Sequence, residues 1–246
     1  MTHIEEFFAR HDRVMLQFSA GKDSAAVLWL LQPWWDKLSV VWANPGNPYP
    51  ETLEYMEQIS KRVPRFYSVL GNQPNDIAVN GWPSDIIPIT MSSFAPFMGV
   101  SSPLRLRPFY DCCAANMWGP LANEVKQGNY TGVIRGQKLV DCLKNPMPSG
   151  TVVDGVEYFY PINDWTDVQV MEFLQGNNAL PASYARGLKS SLDCMNCTAY
   201  VFENPGRIQD LETIDKIAAG QVITVHTTVS EVMFNYSKSL GACHGD

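Results

Sequence analysis

A chain of 246 residues, 46% hydrophobic and only 17% charged, carries enough apolar material for a substantial core, which excludes disorder and fits one large domain or one domain with an appendage. Its net charge of −7 argues against a nucleic-acid partner, because neutralising phosphates takes a basic face, yet it leaves room for a local cationic cluster on a small anion. The longest apolar run, "AAVLWLL" at 25–31, is too short to span a membrane, and no signal-peptide pattern is present; a cytoplasmic protein without a membrane partner, its six cysteines in a reducing compartment, is therefore expected.

In chain order, "RVMLQF" (13–18) predicts a short buried strand, followed by the turn "SAGKDS" and the apolar helix "AAVLWLLQ". "KLSVVWAN" (37–44) predicts a second strand and "NPGNPYP" a turn-rich loop. "ETLEYMEQISKRV" carries Leu53, Met56 and Ile59 at helical spacing, and "RFYSVL" follows as a third strand. Alternating strands and helices predict an α/β fold with a parallel sheet. Residues 71–111, rich in Pro, Ser and Gly, read as loops and irregular turns. A helix is expected over 112–128 with Cys112 and Cys113 at its head, then a strand in "TGVIRG" (131–136). "TVVDGVEYFYPI" reads as a hairpin about Asp154-Gly155, and "DWTDVQVMEFLQG" as a helix capped by Thr166 or Asp164 with Gly176 just past its end. Beyond "LDCMNC" no regular element is predicted. The domain division expected is 1–207, with an irregular C-terminal extension over 208–246.

"FSAGKDS" stands at a strand-to-helix junction, where backbone N–H groups and the helix dipole favour an anion. Gly21 permits close backbone approach, Ser19 and Ser24 offer hydroxyls, and Lys22 adds positive charge beside Ala20 and Asp23. The spacing is not that of Walker A. It resembles the SGGxDS pyrophosphate loop of the adenine nucleotide alpha-hydrolase-like superfamily, with Ala20 replacing one glycine. Further segments resemble sulfonucleotide reductases: Pro50-Glu51-Thr52 after a strand and loop, with Asn44-Pro45-Gly46 where that family has Asp-Thr-Gly, and Pro161, Asp164, Trp165 and Thr166 before a helix. The resemblance implies a Rossmann-like parallel sheet flanked by helices, and a nucleotide held by residues 19–24.

Cys194 and Cys197 form a C-x-x-C that directs two thiols to one side, and the Cys112-Cys113 pair can join them at one site. Four thiolates suit zinc or an iron–sulfur cluster; buried hydrophobic cysteines and a separate redox pair are the plain alternative. The arrangement resembles the iron–sulfur subgroup of the sulfonucleotide reductases, which implies a 4Fe-4S cluster on Cys112, Cys113, Cys194 and Cys197. Met117 stands where that family carries a basic residue.

The same resemblance implies adenylyl sulfate or 3'-phosphoadenylyl sulfate as substrate, with Arg135, Lys138, Lys144 and Arg207 as candidate cations beside Lys22. It implies a cysteine in a flexible C-terminal tail as nucleophile, and thioredoxin or glutaredoxin as reductant. Cys243 beside His244 fills that role, although Ala242 replaces the family glutamate and the tail is longer; Cys142 is the weaker candidate. Two other readings stay open: an ATP-dependent sulfurtransferase acting on a nucleobase, and a nucleotide-binding homologue without reductase activity. The oligomeric state is left open, with a homo-oligomer as one option.

Overall fold

The computed structural model describes residues 3–102, 104–141, 147–188, 192–200 and 206–242. Its contacts divide the chain into two compact units, one formed by residues 1–71 with 116–193 and the other by 72–115 with 194–246. This partition interleaves the chain, unlike the 1–207 and 208–246 division drawn from the sequence.

The first unit is built on β1 (Val14–Gln17), β2 (Leu38–Asn44), β3 (Phe66–Leu70), β6 (Gly132–Ile134), β7 (Thr151–Val153) and β8 (Val156–Phe159), in the order β3-β2-β1-β6-β8-β7. Every pairing is parallel except β7 with β8. That hairpin turns at Asp154 and Gly155, both at positive φ, as the Asp-Gly pair predicts. β1 and β2 are apolar and almost wholly buried because both faces of a central parallel strand are covered. Val14 and Leu16 face one cluster, with Ala25, Leu28, Val170 and Leu174, while Met15 faces another with Val41, Val125 and Val133. The helices of this unit are α1 (His3–Arg10), α2 (Lys22–Leu30), α3 (Pro50–Ser60), α6 (Gly119–Gln127), α7 (Asp167–Gly176) and α8 (Ala182–Ala185). Thr166 starts α7 with a capping box to Gln169.

The second unit holds α4 (Gln73–Asn80), β4 (Trp82–Ser84), β5 (Leu106–Pro108), α5 (Phe109–Cys113), α9 (Arg207–Ile214) and α10 (Lys216–Ala242). Strands β4 and β5 pair in parallel, and Met91, Leu106 and Val225 are the centre of its apolar cluster. Among the described residues no helix is long and apolar enough to cross a membrane.

Three expectations are corrected. Residues 71–111 are not wholly irregular, since Asn72 caps α4 through its side chain and Pro74 suits the first turn. The cysteine pair closes α5 instead of opening a helix, and the chain passes through a π-helical turn, Ala114–Trp118, into α6. Pro120 has no N–H for the carbonyl at 116, and the wider turn absorbs that break. The C-terminal extension is helical over its described residues, to Ala242. Its β-branched run, "VITVHTTV", lowers local helix propensity, but Ala218, Ala219, Val222 and Val225 recur at helical spacing and are buried, so packing overrides propensity. Asp215 helps start α10 by accepting from the N–H groups of Ile217 and Ala218.

Candidate functional site

The order of the strands reverses its sense between β1 and β6, and the carboxyl ends of these neighbours form the topological switch point of an open parallel sheet, the usual place for a ligand. The 19–24 loop leaves β1 there and enters α2. Gly21 is the N-cap in extended conformation, and the left-handed residue of the loop is Ala20, at φ 61°. The position that most needs glycine thus carries a methyl group, a strain of about 1 kcal/mol. Ser19 and Ser24 brace the turn: their hydroxyls lie 3.2 Å apart, Ser24 donates to the Gly21 carbonyl, and Ser19 accepts from the Gly21 N–H.

After β6 the chain passes close to this loop. A Cβ on Gly136 would lie 2.5 Å from the Asp23 carbonyl carbon and 2.6 Å from the Ser24 nitrogen, so only glycine fits there. This contact brings Arg135 and Lys138 to the loop. Arg135 donates through Nε to Gln17 at 2.6 Å and lies over the Tyr158 ring. The Lys138 side chain is 1% exposed and meets Asp23 at 2.6 Å, Asp141 at 3.2 Å and Asp167 at 3.3 Å. Lys22 meets Asp23 at 2.9 Å and Asp167 at 2.8 Å. Two ammonium groups therefore face three carboxylates. Burial works against the charge of Lys22, but Asp167 and Asp23 outweigh it and hold its pKa above the ordinary lysine value. The Lys22 hydrogen bond in turn draws the Asp167 carboxyl below its usual range. Burial pushes the Tyr184 hydroxyl well up, against a smaller opposing effect of the Lys22 backbone.

The Pro50-Glu51-Thr52 stretch opens α3. Pro50 is its first residue, Glu51 pairs with Arg186 at 2.6 Å, and buried Thr52 donates to the Leu192 carbonyl. The Asn44 side chain accepts from the Gly46 N–H and closes the turn after β2. Alongside, a cavity between α2, α3 and residues 178–183 runs from Ala20 past Trp29 and Tyr55.

Cys112, Cys113, Cys194 and Cys197 all lie in the second unit. Cys112 is buried and the other three are half-buried. The backbone N–H of Cys197 donates to the Cys194 carbonyl at 3.3 Å, closing the C-x-x-C as a tight turn. Burial pushes the Cys112 thiol up to about 11; Asp76 adds to the shift, Arg107 opposes it, and Cys197 is near enough to contribute. Asp76 and Arg107 are themselves a half-buried pair at 2.6 Å. Four cysteines in one unit have the donor chemistry that an iron–sulfur cluster takes up as thiolates. Among the described residues, no three His, Cys, Asp or Glu side chains already stand as a metal-binding group. Arg207 donates to the Cys197 carbonyl, a contact with the C-x-x-C turn. Cys142, Lys144, Cys243 and His244 lie outside the described residues.

Of the candidate nucleotide residues, the structure gathers Ser19 to Ser24, Arg135 and Lys138 in the first unit, while Arg207 belongs to the second. Asp141, Asp167, Tyr184 and Gly136 were not predicted. Asp167 had a local signal, an acidic first residue after the Thr166 cap, but its partner Lys22 is 145 positions away.

Residues 13–85 match the family model described as phosphoadenosine phosphosulfate reductase domain. Among solved structures, the chain is similar to phosphoadenylyl-sulfate reductase from Candida auris in a phosphate complex, at 12% identity and a TM-score of 0.55, covering 77% of this chain and 85% of that one. It is also similar to FMN adenylyltransferase from Candida glabrata in complex with FAD and inorganic pyrophosphate, at 14% identity and a TM-score of 0.53, covering 79% of this chain and 60% of that one. At such identities the likeness is one of fold. No curated protein matches the chain.

Proposed function

We propose that this chain, whose residues 13–85 match the phosphoadenosine phosphosulfate reductase domain, is a sulfonucleotide reductase that converts adenylyl sulfate or its 3'-phosphorylated form to sulfite and AMP or 3',5'-ADP. The observation that carries this reading is the loop of residues 19–24 at the sheet's switch point, inside the matched segment, with Lys22 on it and Lys138 against it through Asp23. Backbone N–H groups at the start of α2 and the two ammonium groups are suited to the phosphosulfate, and Arg135 stands at the adjoining strand end.

In this reading the Cys243 thiolate attacks the sulfur atom. The new S–S bond replaces the bond between sulfur and the phosphate oxygen, and the nucleotide leaves with that electron pair. A thioredoxin-type dithiol then reduces the S-sulfocysteine, releasing sulfite and restoring the thiol while its own sulfurs become a disulfide. Lys22 and Lys138 hold the leaving phosphate and stabilise its growing negative charge. Cys112, Cys113, Cys194 and Cys197 would hold a 4Fe-4S cluster. When bound, its iron–thiolate bonds would tie the end of α5 to the Cys194–Cys197 turn. Arg207 supports that turn through the Cys197 carbonyl.

The test is anaerobic sulfite release from each nucleotide with thioredoxin, for wild type and Cys243→Ser. Sulfite from the wild type alone is expected, and the faster nucleotide identifies the substrate. No sulfite, with pyrophosphate released from ATP instead, would replace this reading with an ATP-dependent transferase.

A further inference from the structure

The two ammonium groups at the 19–24 loop are already engaged by the chain itself. Asp167 Oδ1 lies 2.8 Å from Lys22 Nζ and 3.3 Å from Lys138 Nζ, bridging the two ammonium groups with one oxygen. The remaining carboxylates, Asp23 and Asp141, leave the group of five charges at −1 overall. An incoming phosphate or phosphosulfate cannot reach both lysines while the Asp167 carboxylate stands between them.

The five charges differ in freedom. Lys138 is 1% exposed and Lys22 13%, so the cations are fixed, whereas the Asp167 side chain is 67% exposed. Asp167 is also the first residue of α7, whose start is independently secured by the Thr166–Gln169 capping box. A rotation of its side chain would release both cations without unwinding the helix, and would move the carboxylate toward solvent.

We propose that Asp167 is a specificity-determining residue acting as an internal counter-anion: it competes with the ligand's anionic group for Lys22 and Lys138 and so sets the affinity for phosphate-bearing ligands. Weakly charged anions fail to displace it, and a ligand with several negative charges succeeds. The inference rests on reading residues 19–24 as the anion-binding loop, not on the reduction step.

Inorganic pyrophosphate is the probe, with its dissociation constant measured by calorimetry on the full chain for wild type, Asp167→Asn, Asp167→Ser and Asp154→Asn. Asn and Ser both suit a helix start and remove the charge, while Asp154 is an exposed acid in the β7–β8 turn. Binding about fivefold tighter is expected in both Asp167 variants, with the gain shrinking as potassium chloride is raised, and no gain in Asp154→Asn. Unchanged or weaker binding in the Asp167 variants overturns the proposal, as does an equal gain in Asp154→Asn or a failure of every protein to bind pyrophosphate. Sulfite release is scored separately, so a tighter-binding Asp167→Asn protein from a chain that makes no sulfite would keep this inference and refute the proposed reaction.

Discussion

Replacing Gly136 with alanine tests whether the contact between the end of β6 and the start of α2 builds the candidate site. The added Cβ would meet the Asp23 carbonyl carbon at 2.5 Å, the Ser24 nitrogen at 2.6 Å and the Asp23 oxygen at 2.7 Å. Ordinary contact begins at 3.4 Å, so the two segments must part by about 0.9 Å. All three atoms are backbone, and no side chain can rotate to make room. Forced overpacking of this kind costs roughly 2–3 kcal/mol, which for a chain of this length lowers Tm by about 5–10 °C. The same displacement draws Lys138 away from Asp23 and Asp167, so pyrophosphate binding should weaken at least tenfold even well below the melting temperature. Thermal unfolding followed by circular dichroism, with calorimetric titration of pyrophosphate, reads both effects. An alanine variant with wild-type Tm and wild-type affinity would show that the 136 turn does not hold the loop in place.

Ala20→Gly relieves the left-handed alanine at φ 61° but loosens the unfolded chain, so a net stabilisation of under about 1 kcal/mol is expected by chemical denaturation; a clear loss would refute the strain assigned there. Lys138→Met removes the buried cation from three carboxylates and should cost roughly 2–3 kcal/mol in the same assay while abolishing pyrophosphate binding; retained affinity would remove Lys138 from the site. The Asp167 pKa is lowered, as is that of Glu157 on β8, where hydrogen bonds from Arg10 and His11 outweigh burial; their contribution is complete above the usual carboxylate range and is lost as pH falls through those lowered values. Lys22 is raised, so its contribution is complete below its ordinary 10.5 and is lost as pH rises beyond it. The acid limb of the Tm–pH profile should therefore be shallower in Asp167→Asn than in the wild type; an unchanged acid limb would refute the assignment.

The sequence by itself determined the elements whose signals are local. β1 and β2 announce themselves as apolar runs because a central parallel strand is buried on both faces, and the Asp154-Gly155 turn is encoded by two residues that tolerate positive φ. The loop at 19–24 was legible for the same reason, since a strand, a short polar turn and a helix adjoin in sequence. What only the tertiary structure decided depends on distant partners. Lys22 finds Asp167 across 145 positions and Lys138 finds Asp23 across 115, and neither separation leaves a mark on local composition. The long α10 was hidden because its β-branched residues disfavour a helix until Val222 and Val225 are buried. Gly136 reads as an ordinary glycine after a strand until the Asp23 backbone is seen against its missing side chain. Local conformational preference is written along the chain, whereas charge pairing and close backbone approach arise only when the fold brings separate segments together.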